Sequence, residues 1–171
     1  MAGRFIKIEG LEKTLSRFDV KKFEPEIQYC FNKFGLRLEL EAKQAVSVDE
    51  GKLKGSIFQE PGKLSSTIGA SASYSSFMEF GTRKFSKEYI ATLPTDWQKF
   101  AYQYKGQGRG SFDEFIISLV GWCKRHGISE KAAYPIAIKI LRDGLAPRPF
   151  IYPAFNKNKD LLIKELKAIK I

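Results

Sequence analysis

The residue types that most often carry out chemistry are few and widely spaced in this chain. His126 is the only histidine, and the two cysteines, Cys30 and Cys123, lie far apart within helix-like patterns. A zinc site needs several histidine or cysteine ligands at set spacings, so none of the three predicts a metal site. His126 also has no nucleophile beside it to activate as a general base. We expect both cysteines to be small buried apolar residues of a reducing cytoplasm, and we expect no cofactor.

Two further features resemble catalytic or binding motifs only superficially. Asp49-Glu50 and Asp113-Glu114 are adjacent carboxylates, and adjacent helical residues do not face each other, so the helix dipole is the better explanation for them. Gly106-Gln-Gly-Arg-Gly110 lacks both the Gly-Lys-Ser/Thr ending of a Walker loop and the preceding strand of a dinucleotide fingerprint. We therefore expect a flexible link between helices there, and no enzymatic activity.

One carboxylate stands out because of its neighbours. Glu79 lies in an aromatic and apolar run that ends at Gly81-Thr82. Desolvating an unpaired carboxylate is costly, so Glu79 needs a partner. Gly81 indicates a backbone bend that a side chain would obstruct. The apolar residues of this run are Tyr74, Phe77, Met78 and Phe80.

A second unusual stretch, Ala146-Pro-Arg-Pro-Phe-Ile-Tyr-Pro-Ala-Phe155, places three prolines around Arg148. We predict that it is extended, that it meets the first stretch, and that Arg148, held by Pro147 and Pro149, pairs with Glu79. Buried pairs of this kind fix geometry more reliably than they add stability.

Composition bounds the remaining possibilities. The 171 residues predict one domain with a real core, and the formal charge is +10. The amino-terminal residues lack the long apolar core of a secretory signal, and no apolar run approaches the roughly 20 residues that span a bilayer. Because the lysines are interspersed with glutamates, the charge favours solubility over a nucleic-acid stripe. A basic nucleic-acid-binding module that uses the aromatic residues and lysines of Trp97–Arg125 is the alternative function.

The elements that must position these residues follow from periodicity. Residues 4–9 alternate as a short strand, and Leu11, Leu15 and Phe18 have helical spacing. An apolar stripe predicts a long helix over residues 25–46, with Gly35 as a weak point. Residues 56–59 and 64–70 predict a hairpin that turns at Pro61-Gly62.

Helical patterns dominate the second half. Leu93-Pro-Thr-Asp96 begins one helix, Phe112 to Cys123 form an amphipathic helix, and Ser129 to Asp143 form a third. A C-terminal helix covers residues 156–171, with Leu161, Leu162, Leu166 and Ile169 inward. The predicted fold is α+β: a small antiparallel sheet packed by a long helix from the N-terminal half and a C-terminal helix. Residues 1–84 and 146–171 form the core domain, and residues 85–145 form a helical insertion.

Three stretches together resemble one family. Val46-Ser-Val-Asp-Glu-Gly-Lys-Leu-Lys-Gly-Ser-Ile57, Ala72-Ser-Tyr-Ser-Ser-Phe-Met-Glu-Phe-Gly-Thr82 and Pro147-Arg-Pro-Phe-Ile-Tyr-Pro-Ala154 are similar to motifs of the tail-completion, or head–tail joining, proteins of long-tailed bacteriophages. These are often labelled minor tail components. Ile8 to Leu15 resembles the family's opening. Glu50 departs from the family's threonine, and the gap between Thr82 and Pro147 is long.

The resemblance implies an α+β structural protein of the phage neck without catalysis. It implies a ring, commonly hexameric, between the connector or stopper protein and the tail-tube protein, in the virion and, during assembly, in the host cytoplasm. DNA would cross the lumen without specific recognition, and no membrane is involved. The subunit contacts would fall on sheet edges and on two segments that include the structural lock. These residues are Glu79, Phe80, Gly81, Thr82, Arg83, Arg148, Pro149, Phe150 and Tyr152.

Overall fold

The computed structural model describes residues 3–7, 23–46, 49, 51–104 and 111–169, with only the backbone for 3–7. The chain forms two compact units, Met1–Ser75 with Arg148–Ile171 and Ser76–Pro147. We call them the core unit and the helical unit. The sequence placed these divisions at residues 84/85 and 145/146. The predicted helix of Leu11 to Phe18 and the loop Gly106 to Gly110 lie outside the described residues.

The core unit contains the predicted antiparallel sheet. Its strands are β1 (Gly3–Lys7), β2 (Ile57–Gly62) and β3 (Ser65–Ala70), in the order β1-β3-β2. Two long helices, α1 (Glu24–Ala45) and α8 (Ile151–Lys167), accompany it, and a short helix, α2 (Lys52–Ser56), precedes β2. The α+β fold class, the long helix from the N-terminal half and the C-terminal helix are confirmed.

The hairpin turns two residues later than predicted. Pro61 and Gly62 belong to β2, where they pair with Ser66 and Ser65, and the turn is Lys63-Leu64. The backbone groups of successive strand residues point alternately to the two sides of the strand. Because Ser71 N–H donates a hydrogen bond to Ser56 O, the even-numbered residues of β2 point their backbone groups at β3. Pro61 therefore has its nitrogen on the outer edge, where no ladder hydrogen bond is lost.

Helix α1 lies unusually close to the sheet at Gly35. A Cβ atom there would overlap Ser66 Oγ and lie 2.7 Å from Gln59 Cγ. Low helix propensity was the only property predicted for Gly35, whereas the structure shows why a side chain is excluded there. The buried stripe of α1 agrees with the predicted stripe except at Ala45, which was predicted to face the core but is exposed at the end of the helix. It consists of Ile27, Cys30, Phe31, Phe34, Leu38 and Ala42.

Helix α8 begins at Ile151, earlier than predicted, so the stretch Ala146–Phe155 is only partly extended. Pro153 lies in the first helical turn, where its missing N–H costs no intrahelical hydrogen bond. Leu162 is buried as predicted, but Leu161 is substantially exposed. The prediction that Leu161 faces inward was wrong, because the buried stripe of α8 runs through Ile151, Ala154, Asn158 and Leu162 and leaves Leu161 beside it.

The helical unit contains the predicted helices and two helices that were not predicted. These two are short α3 (Ser75–Phe80), which leads into the unit, and α4 (Arg83–Ala91). The others are α5 (Thr95–Tyr102), α6 (Phe112–Arg125) and α7 (Ala133–Asp143), the last preceded by a 3-10 turn at Glu130–Ala132. Helix α6 begins with a capping box between Ser111 and Glu114, as its sequence favours. None of the helices in the described ranges is both long and apolar enough to cross a membrane.

Candidate functional site

The bend predicted at Gly81 is present and tightly enclosed. Gly81 follows α3, is buried, and has a φ angle of 70°, in the left-handed region where a side chain is unfavourable. A Cβ atom on Gly81 would lie 2.7 Å from Leu145 O and 2.9 Å from Pro147 N. The prediction that a side chain would obstruct this bend is confirmed. One obstructing atom belongs to Pro147 of the second unusual stretch, and the other belongs to Leu145, the residue just before that stretch.

Thr82 joins the same two segments by hydrogen bonds. Its backbone N–H donates to Leu145 O at 2.9 Å, and Leu145 N–H donates to Thr82 Oγ1 at 2.7 Å. Both backbone groups of Leu145 are thus satisfied by one residue. The expectation that the two stretches meet is correct at Gly81-Thr82 and Leu145 to Pro147.

Three residues of this contact have left-handed backbones. Besides Gly81, these are Arg83 at φ 53° and Gly144 at φ 96°. A Cβ atom on Gly144 would approach Arg83 Cβ to 3.0 Å and would overlap Thr82 O. Arg83 is one of two non-glycine residues with positive φ in the described ranges, and such a conformation costs about 1 kcal/mol or more. We call Gly81–Arg83 together with Gly144–Pro147 the clasp.

The other predicted site residues have different environments. Glu79 is fully buried in α3, and Phe80 is buried against Phe100 and Tyr104, with ring centroids 6.3 Å away in both cases. Burial also raises the pKa of the Tyr104 phenol. Arg148, the first residue of the returning core unit, is exposed. The pairing of Glu79 with Arg148 stays a prediction.

Surface access separates the predicted interface residues into two groups. Phe150 is buried and Tyr152 is partly buried in the first turn of α8, and Pro149 is partly buried before it. Arg83 and Arg148 are exposed. Of the nine residues assigned to an interface or a lock, these two arginines are therefore the best able to contact another molecule. Glu79, Phe80, Gly81 and Phe150 are buried.

The aromatic residues of a possible nucleic-acid surface are partly packed against other rings. Trp97 is buried, and its ring centroid lies 6.1 Å from that of Phe100. Trp122 stacks on His126 at 4.5 Å. Base stacking needs open aromatic faces, which Trp97 lacks, whereas Tyr102 and Phe112 in the same stretch are exposed; the nucleic-acid alternative stays a prediction. Within the described ranges, no group of three or more His, Cys, Asp or Glu residues could hold a metal ion.

The sequence predicted the first segment of the clasp, Gly81–Arg83, but only part of the second segment, Gly144–Pro147. Leu145 carries no signal, because it contributes only backbone groups. Gly144 was predicted as a helix end after Asp143, and its positive φ fits that role, but its contact with Thr82 and Arg83 depends on tertiary structure. Comparison of the chain with protein-family models, with curated proteins and with solved structures gave no match.

Proposed function

We propose that this protein is a structural subunit of the neck of a long-tailed bacteriophage. Its copies form a ring that completes the head-proximal end of the tail and joins it to the capsid connector. The observation that carries the proposal is the clasp. It brings together Gly81-Thr82 and Pro147, which belong to two separate stretches that resemble the family of tail-completion proteins.

The open edge of the sheet supports a contact between copies. Among the described strands, β2 pairs only with β3, so its second edge presents the backbone groups of Gln59 and the carbonyl groups of Ile57 and Pro61. A neighbouring chain can pair with such groups. Pro61 has no N–H to offer, so the pairing would be short. A ring needs a head-to-tail contact of this kind between two different surfaces.

The proposed surroundings follow from the same role. The ring lies between the connector or stopper protein and the tail-tube protein, in the virion, after assembly in the host cytoplasm. DNA crosses its lumen without specific recognition. Because rapid passage disfavours strong phosphate contacts, the excess positive charge of +10 belongs on the outer surface or at acidic neighbours. No reaction is part of the proposal.

A deletion in the encoding phage tests this function. We expect the deletion to yield filled capsids and finished tails that stay separate, and plasmid-borne wild-type protein to restore joining. Electron microscopy of the lysate counts the joined and separate particles, and averaged images of complemented virions show whether a ring occupies the neck. Normal yields of joined, infectious particles from the deletion would refute the proposal.

A further inference from the structure

Helix α7 places its small residues inward and its large apolar residues outward. Ala133 and Ala137 are 1% and 0% exposed, whereas Tyr134, Ile138 and Leu141 are 60%, 41% and 40% exposed. A helix that served only its own core would bury the large residues, because burial of each stabilises the fold by about 1.5 to 3 kcal/mol. The large residues of α7 are therefore available to something outside the helical unit.

These exposed residues form one continuous face. Their spacing of four and three places Tyr134, Ile138 and Leu141 in one stripe along the helix. Phe112 of α6 extends the stripe at its start, because its ring contacts that of Tyr134 with centroids 6.1 Å apart, and Phe112 is itself exposed. We call Phe112, Tyr134, Ile138 and Leu141 the α7 face. Exposed apolar patches of this kind typically mark interaction sites.

Basic residues border the α7 face on one side. At about 100° per residue, Lys139 and Arg142 lie on the side of the stripe away from the buried alanines. Lys131 lies in the 3-10 turn that precedes α7, and all three residues are exposed. The nearby acidic residues are engaged locally, since Asp143 pairs with Arg142 at 2.9 Å and Glu130 pairs with Lys124 at 3.2 Å. The face thus combines an apolar stripe with a positive rim.

We propose that the α7 face is a docking surface for an amphipathic helix of a different protein, with an apolar stripe and acidic residues along one edge. Helix-on-helix docking uses anchors at this spacing, and the basic rim selects the acidic edge. A second copy of this chain fits less well. In an antiparallel pair of α7 helices the two basic rims would adjoin, and each chain carries +10. The inference does not depend on the neck function.

The test uses two synthetic helical peptides of about 15 residues. Both carry leucines at the spacing of the stripe, and one edge holds glutamates in the first peptide and lysines in the second. Fluorescence anisotropy measures their binding to the full chain. We expect the glutamate peptide to bind at least about tenfold more tightly than the lysine peptide, and rising salt to reduce the difference.

Three variants locate the binding. Ile138→Asp should weaken the glutamate peptide by about tenfold or more, whereas Leu40→Asp, at an exposed leucine of α1 in the core unit, should leave binding unchanged. Replacing Lys131 and Lys139 together by glutamate should reverse the preference between the peptides. Circular dichroism and the unfolding midpoint establish that each variant is folded.

Several results would overturn the proposal. These are failure of the glutamate peptide to bind, equal affinity for the two peptides, and unchanged binding by a folded Ile138→Asp variant. Sedimentation gives a separate test of the alternative occupant. If the wild-type chain forms a dimer that Ile138→Asp dissociates, the face pairs with a second copy.

Discussion

Thr82 and Leu145, 63 residues apart in sequence, hold each other by two hydrogen bonds, one in each direction. Thr82 supplies both partners for the Leu145 backbone, its own N–H and its side-chain oxygen. This single residue therefore closes the helical unit where the chain enters and leaves it. Because backbone groups without a partner are costly away from water, the side chain of Thr82 contributes to stability as well as to shape.

Thr82→Val should destabilise the protein. Valine has nearly the shape of threonine but no hydroxyl, so Leu145 N–H would lose the acceptor that lies at 2.7 Å. We expect the free energy of unfolding to fall by about 1 to 2 kcal/mol, as measured by urea denaturation followed by circular dichroism.

Two controls separate the hydrogen bond from other effects. Thr82→Ser retains the oxygen and should lose less than half as much. Thr92→Val removes an exposed hydroxyl that donates to Tyr89 O and should change stability little. Equal stability of the Thr82→Val variant and the wild type would mean that the clasp hydrogen bond is not formed in solution.

Gly81→Ala should lower the free energy of unfolding more than Gly51→Ala does, because Gly51 has a similar backbone conformation but free space around it. Gly81 and Gly51 have φ angles of 70° and 75°, but a Cβ atom on Gly51 would have no heavy atom within 4 Å. The left-handed conformation alone should cost about 1 kcal/mol in Gly51→Ala. The contact with Leu145 and Pro147 should add at least about 1 kcal/mol more in Gly81→Ala. Urea denaturation measures both, and equal losses would contradict the tight packing of the clasp.

Much of the helical structure was predictable because its signals are local. The stripe from Ile27 to Ala42 in α1 and the cap of α6 at Ser111 depend on spacing and on adjacent backbone groups. The bend at Gly81 also has a local signal, because glycine adopts a positive φ angle without help from other residues. The sequence could thus predict that one side of the clasp bends there.

The missed features depend on atoms that are distant in sequence. Glycine is required at position 35 because Ser66 lies too close for a side chain, and no pattern within α1 reveals this. The hairpin turn lies at Lys63-Leu64. It was predicted two residues too early because Pro61 suits an edge strand as well as a turn. The pairing of Thr82 with Leu145 depends on how the intervening helices fold.

Gly35→Ala tests this difference between local and tertiary effects. Helix propensity favours alanine over glycine by about 1 kcal/mol, but the new methyl group would overlap Ser66 Oγ beneath α1. Ser66 is buried and accepts a hydrogen bond from Gln59, so it cannot move without cost. We expect a net loss of about 1 to 3 kcal/mol in the free energy of unfolding.

Gly121→Ala is the matched control in the middle of α6. Its nearest neighbour is the Arg125 guanidinium at 3.3 Å, the end of a flexible side chain that can shift. This variant should therefore be more stable than the wild type by up to about 1 kcal/mol, by the same urea denaturation. Stabilisation by Gly35→Ala would show that α1 lies further from the sheet.

Glu165 gives a prediction for pH. It joins α8 to α1, because its carboxylate accepts hydrogen bonds from Lys33 at 2.9 Å and from Arg37 at 3.0 and 3.2 Å. The hydrogen bonds from these two residues, that of Lys33 first, lower the pKa of Glu165 below its usual 4.5. A lowered pKa in the folded state means that the stabilisation is present above the unfolded pKa and is lost as the pH falls through the folded pKa.

Glu165→Gln should therefore be less stable than the wild type at neutral pH, by about 1 kcal/mol or less because the group is partly exposed. The difference should shrink as the pH falls below 4.5 and disappear once Glu165 is protonated in the folded protein. Urea denaturation across this range measures it. A difference that persists in acid would mean that packing, not charge, makes Glu165 stabilising.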